Sequence, residues 1–161
     1  MIIEEGEPNT LRIKTSKQNI DQSLGVPPPF LDKPAVYLVA GGMGTGKTTL
    51  MNSIMTADGN ARVFKKVFTE VHYSTPSEVY ESENEHSFRH HPKDRMYFDL
   101  NEETLDKIME DAIEVKKEGG SSCLVLDDWS EIYKDIRIEK RLKRMIQKHR
   151  HMKLNIIISL L

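Results

Sequence analysis

The chain of 161 residues has a single cysteine, Cys123, and a single tryptophan. One thiol excludes an internal disulfide framework and fits a reducing compartment. No apolar run approaches the roughly 20 residues that a membrane-spanning helix requires, so no membrane partner is expected. The amino terminus, MIIEEGEPNT, lacks the basic-then-apolar order of a secretory signal. Net charge is nearly absent too: 23 basic and 25 acidic residues leave −2 with histidine neutral. That balance excludes a uniformly basic nucleic-acid binder, and 38% hydrophobic residues exclude a disordered tail. What remains is a soluble, intracellular, globular chain long enough for one domain with a real core.

Against this plain background one stretch stands out: Gly41-Gly42-Met43-Gly44-Thr45-Gly46-Lys47-Thr48-Thr49. It matches G-x-x-x-x-G-K-[ST], and its context is the one the mechanism needs. The apolar run from Ala35 to Ala40 predicts a buried strand before it, and Thr48 to Met55 can continue as a helix after it. Strand, glycine-rich turn and helix start together make a phosphate-binding loop. Glycines let the backbone approach a ligand, so that successive N–H groups line a concave nest facing phosphate oxygens. The helix N-terminus adds partial positive charge at the same place. Lys47 is expected to reach the β and γ oxygens of a bound nucleotide, and the Thr48 hydroxyl to complete a Mg²⁺ shell. ATP and Mg²⁺ are the expected cofactors.

Residues 1–34 mix charges with a proline cluster and read as an extended lead-in or linker, with Leu11 to Lys14 as a possible short edge strand. Residues 35–161 form the expected core. A second strand is predicted over Val63 to His72, centred on Lys66 to Val71. Residues 74–93 are polar, contain Pro76 and Pro92, and read as a surface excursion. His86, His90 and His91 lie in it without a cysteine or ordered acids nearby, and read as solvated loop residues rather than metal ligands. Met96 to Phe98 is a short strand candidate. Asn101 can cap a following helix whose first turn holds Glu102 and Glu103, where the helix dipole favours them. Leu105, Ile108, Met109, Ala112 and Ile113 are its expected core face, and Gly119-Gly120 its end.

Cys123 to Leu126 followed by Asp127-Asp128 is the second strong signal. An apolar strand that ends in an acid is the Walker B arrangement. In open α/β sheets ligands sit at the carboxyl ends of strands, which would bring Asp127 to the phosphate loop. Asp127 is then expected to hold Mg²⁺, directly or through water, and Asp128 to orient or deprotonate the attacking water. Glu131 is a second candidate for that last task. From Lys134 to Lys153 there are nine Lys or Arg against two acids. A solvated helix face and a phosphate-facing surface both suit such a run. Arg137, Lys140, Arg141, Arg144 and Lys148 are the candidate contacts to DNA or to a neighbouring subunit. Leu154 to Leu161 is another buried-strand pattern, and because the chain stops inside it a fragment or an early stop is expected.

Together, the glycine loop, Lys66-Val67-Phe68, Leu124 to Asp128 and Lys148 to Ile158 resemble the poxvirus-type DNA-packaging ATPases of nucleocytoplasmic large DNA viruses. These are part of the wider FtsK- and HerA-like group of DNA translocases. The likeness spans about residues 35–161 and implies a P-loop NTPase of RecA-like, three-layer α/β/α build with a mostly parallel sheet. It implies that the strand at 154–161 lies between the loop strand and the Asp127 strand. It also implies a homo-oligomeric ring that hydrolyses ATP to drive double-stranded DNA into a capsid, with viral capsid proteins as partners. The place implied is the cytoplasm of an infected cell, a virus factory or the virion. Arg150, or Arg144, would act on a neighbouring subunit's γ-phosphate. Members of that group continue past the last strand with a polar sensor residue, commonly glutamine, which this sequence lacks. Two other readings are open: a small nucleotide or metabolite kinase, and a non-catalytic nucleotide-binding interaction module.

Overall fold

A computed structural model describes residues 23–82 and 88–160. The proposed edge strand at Leu11 to Lys14, His86 and Leu161 lie outside the described residues. Five strands form one sheet: β1 (Val36–Ala40), β2 (Glu70–Ser74), β3 (Met96–Tyr97), β4 (Ser122–Leu126) and β5 (Leu154–Leu160). All four pairings are parallel, and the order across the sheet is β1-β5-β4-β2-β3. The helices are α1 (Lys47–Thr56), α2 (Ser77–Ser82), α3 (Glu102–Lys117) and α4 (Ile136–Lys148).

The central strands are buried on both faces, which is why β4 and β5 read as nearly continuous apolar runs. Their alternate side chains divide the core in two. Leu124, Leu126, Ile156 and Ile158 pack with Leu105 and Ile108 of α3 and Leu142 and Met145 of α4. Cys123, Val125 and Ile157 pack on the other face with Met51 and Met55 of α1 and with Phe64 and Phe68. The helices fall on opposite faces for a topological reason. The chain crosses the sheet one way from β1 to β2 through α1, and returns the other way through α3 and α4. Right-handed crossovers running in opposite directions place their helices on opposite faces. The result is an α/β molecule with an all-parallel sheet, consistent with a Rossmann- or RecA-like layout.

Several elements stand where expected. β5 lies between β1 and β4. Asn101 caps α3, its side chain accepting from Thr104 N–H at 2.9 Å, and the chain leaves that helix through Gly119 at φ +88°. Five expectations need correction. β1, expected as a buried strand, lies at the sheet edge, and its Leu38 is 62% exposed. The second strand begins only at Glu70, because residues 63–69 turn back: Val67 N–H donates to Phe64 O, and Lys66 takes a left-handed φ of 59°. That turn drops Phe64 and Phe68 into the core together. The 74–93 stretch is not wholly a surface excursion, since Ser74, Thr75 and Phe88 are buried, and a His91 ring nitrogen meets Val71 O at 2.6 Å. Ile113 is 40% exposed, and Val115 takes its place in the buried face. Finally, residues 23–34 are more than a linker: Val26 is buried, and the Asp32 carboxylate accepts from Leu24 and Val26 N–H.

Candidate functional site

The glycine loop leaves the carboxyl end of β1 and enters α1. Gly41 N–H extends the strand pairing by donating to Leu160 O at 3.2 Å. A Cβ at Gly41 would lie 2.6 Å from the Thr45 hydroxyl, so any larger residue would force the Thr45 side chain to shift. Gly46 forms the N-cap of α1 at φ 82° and provides no side-chain cap. The amide donors of the first turn of α1 are thereby left for a ligand, at the positive end of the helix dipole. Lys47 folds back over the loop, donating from Nζ to Gly41 O at 2.7 Å and to Gly42 O at 3.0 Å. The Thr45 hydroxyl donates to Gly42 O at 2.8 Å. Met43 stands out at 92% exposure.

Facing the loop is the carboxyl end of β4. Asp127 is buried; its Oδ1 accepts from the Ser159 hydroxyl at 2.9 Å and its Oδ2 from the Tyr73 hydroxyl at 3.4 Å. Its N–H donates to Ser74 O at 2.9 Å, which anchors it to β2. Asp128 takes a left-handed φ of 59°, and its N–H donates to the Ser159 hydroxyl at 2.8 Å. Trp129 donates from its indole N–H to the Ser74 hydroxyl at 3.1 Å. Glu131 is exposed and paired with Lys134 three residues on. Nearby, the Tyr133 hydroxyl is buried without a hydrogen-bond partner. Burial first, and then the charges of Asp127 and Asp128, hold that phenol well above its ordinary range and so protonated.

Loop and acids enclose one cavity of about 640 Å³, lined by residues 43–49 on one side and 127–132 on the other. That volume suits a ligand of nucleotide size. Set against family models, curated proteins and solved structures, the chain matches none. The cavity's donor set, one helix-terminal hydroxyl at Thr48 and one buried carboxylate at Asp127, suits Mg²⁺. That ion is usually held by one or two carboxylates together with substrate phosphates rather than by an all-protein cage. The glycine-rich loop and the uncapped amino end of α1 suit a triphosphate.

The other candidate residues lie apart from this cavity. Arg137 is tied to Asp135 at the start of α4. Arg141 turns inward and bridges α4 to α3, meeting Glu102 at 3.3 Å and Asp106 at 3.0 Å. These pairs give it a structural role between the two helices. Lys140, Lys143, Arg144 and Lys148 are exposed along α4. Arg150 lies in the short turn His149–Met152 that precedes β5, at the amino ends of the strands. The cavity is at the carboxyl ends, one seven-residue strand away, on the order of 20 Å. Arg150 cannot reach its own chain's cavity.

Sequence reasoning missed Ser159, Tyr73 and Ser74, which bond to the acid pair, and Trp129, which bonds to the Ser74 hydroxyl. The one available signal was a lone serine closing an isoleucine-rich strand.

Proposed function

We propose that the chain is an ATP-binding and ATP-hydrolysing P-loop protein with a RecA-like core, and that it acts in packaging viral double-stranded DNA. The observation that supports the nucleotide part is the single cavity in which a glycine loop, a helix N-terminus and Lys47 face Asp127 and Asp128. In this reading the loop amides at Gly42 to Thr49 and Lys47 bind the phosphates. Thr48 and Asp127 hold Mg²⁺, which when bound neutralises charge on the phosphate oxygens. Asp128 orients the attacking water and accepts its proton, with Glu131 at the rim as the alternative acceptor. The protein's share is positioning and charge stabilisation.

The DNA part is supported by the exposed cations of α4 and by the likeness to packaging ATPases described above. Arg150, remote from its own cavity, belongs in this reading to a subunit boundary in a ring, where it would meet a neighbour's γ-phosphate. Titration with a fluorescent ATP analogue tests the nucleotide part. Saturable binding that Lys47→Ala weakens at least tenfold is expected, taking each lost phosphate contact as about 1.5–3 kcal/mol. Binding that survives Lys47→Ala unchanged would place the nucleotide elsewhere.

A further inference from the structure

Two adjacent residues at the end of β5 touch both halves of the cavity. The Leu160 carbonyl accepts from Gly41 N–H, the first amide of the glycine loop. The Ser159 hydroxyl donates its only proton to Asp127 Oδ1 at 2.9 Å and accepts from Asp128 N–H at 2.8 Å. Ser159 is 1% exposed and pairs in register with Val39, two residues before the loop. Its hydroxyl therefore has no spare donor for solvent, and its two bonds fix different things. One sets the direction of the carboxylate assigned to Mg²⁺. The other pins the backbone of Asp128, which has a left-handed φ of 59° and lines the cavity.

We infer that Ser159 is a positioning residue that locks Asp127 and Asp128 in register with the phosphate loop, so that nucleotide on the loop meets correctly aimed acids. This rests on the proposed nucleotide site and adds a residue to it. A residue held at positive φ costs free energy and persists only where its surroundings fix it. Here the fixing bond is part-buried and its acceptor sits on the buried Ser159, so losing it removes the one side-chain bond on the Asp128 N–H and frees the turn. The Tyr73 hydroxyl, at 3.4 Å from Oδ2, is too long a contact to hold the carboxylate alone. Ser159 touches neither the phosphates nor the loop amides with its side chain, so its loss spares metal-free nucleotide binding.

The test compares Ser159→Ala, Ser159→Cys and Ser159→Thr with the wild-type chain, reading fluorescent ATP analogue binding with and without Mg²⁺ as well as turnover. Ser159→Ala and Ser159→Cys are expected to bind the analogue without Mg²⁺ as the wild type does. Both should lose about tenfold to a hundredfold in kcat and in the Mg²⁺ dependence of binding, the usual cost of removing a residue that orients a metal ligand. Ser159→Thr, which keeps the hydroxyl, is expected to recover both. Ser159→Ala with wild-type kcat and Mg²⁺ dependence would overturn the inference while leaving the nucleotide site intact. So would parallel loss of metal-free binding, turnover and melting temperature, which would make Ser159 a packing residue. A wild-type chain that bound no analogue would overturn the nucleotide site itself, and this inference with it.

Discussion

Asp128 shows how one residue combines backbone and side-chain demands. Its φ of 59° lies in the left-handed region, which aspartate and asparagine tolerate better than most residues because their short polar side chains bond locally. Asp128→Asn should therefore keep the turn and the melting temperature while removing the proton acceptor. Turnover is expected to fall by roughly 10²–10⁴-fold, the usual contribution of a general base. Asp128→Ala should lose the same turnover and also about 1–2 kcal/mol of stability, the cost of left-handed backbone without a compensating side chain. Equal melting temperatures for the two variants would argue against strain at this turn. At this scale the glycine loop, Lys47 and the acid pair were legible, because their chemistry is written in consecutive residues. Ser159 was not, because a serine in an apolar strand carries no mark of its partners. Those partners, Asp127 and Asp128, lie about thirty residues away in the chain and adjoin it only through the β4–β5 pairing.

At the scale of elements, the cations of α4 have two settings. Arg141 is one-third exposed and clamped to Glu102 and Asp106 of α3. Arg144 lies on the exposed side with Lys140, Lys143 and Lys148. Arg144→Ala should reduce the salt dependence of DNA binding by about 0.9 in the slope of log K against log salt, one released counterion per lost phosphate contact. Arg141→Ala should leave that slope unchanged and cost about 1 kcal/mol or less in denaturant unfolding, as partly exposed ion pairs do. The reverse pattern would mean that α4 meets DNA through its α3-facing side. The apolar stripes of α3 and α4 were readable at helical spacing. The strand at 63–72 misled because Val63, Phe64, Val67, Phe68 and Val71 are strand-favouring residue types, although their four-residue spacing is not the alternation of a strand. Lys66 bends the chain into a turn instead, and two phenylalanines fill the core from it.

Across the whole molecule, sheet order brings distant acids and the loop to one end, and leaves a buried histidine in the middle of β2. His72 on β2 is fully buried, with Nδ1 3.2 Å from the Tyr97 hydroxyl and Nε2 unpaired, 3.6 Å from Glu70. Glu70 is already committed to Arg95, so burial dominates and lowers the His72 pKa to about 4. Arg95, His91 and Lys107 act in the same direction and Asp111 against it. The unfolded chain takes up this proton near the ordinary value of 6.5 and the folded chain does not. Stability should therefore hold above pH 6.5 and fall from there toward pH 4, by up to about 1.4 kcal/mol per pH unit. His72→Gln should flatten that slope in denaturant unfolding between pH 7.5 and 4.5, and an unchanged slope would assign the acid sensitivity to other groups. No helix among the described residues is long and apolar enough to cross a membrane. The parallel α/β layout was legible from the alternation of apolar strands and helical stripes. The burial of His72 was not, because a polar strand face covered by α3 looks like a solvated one in sequence. The most direct test of the central claim is ATP hydrolysis with Mg²⁺, measured with and without double-stranded DNA. Turnover that DNA raises and that both Lys47→Ala and Asp128→Asn abolish is the predicted result. Phosphoryl transfer to a small acceptor instead, or ATP binding without turnover in either condition, would contradict it.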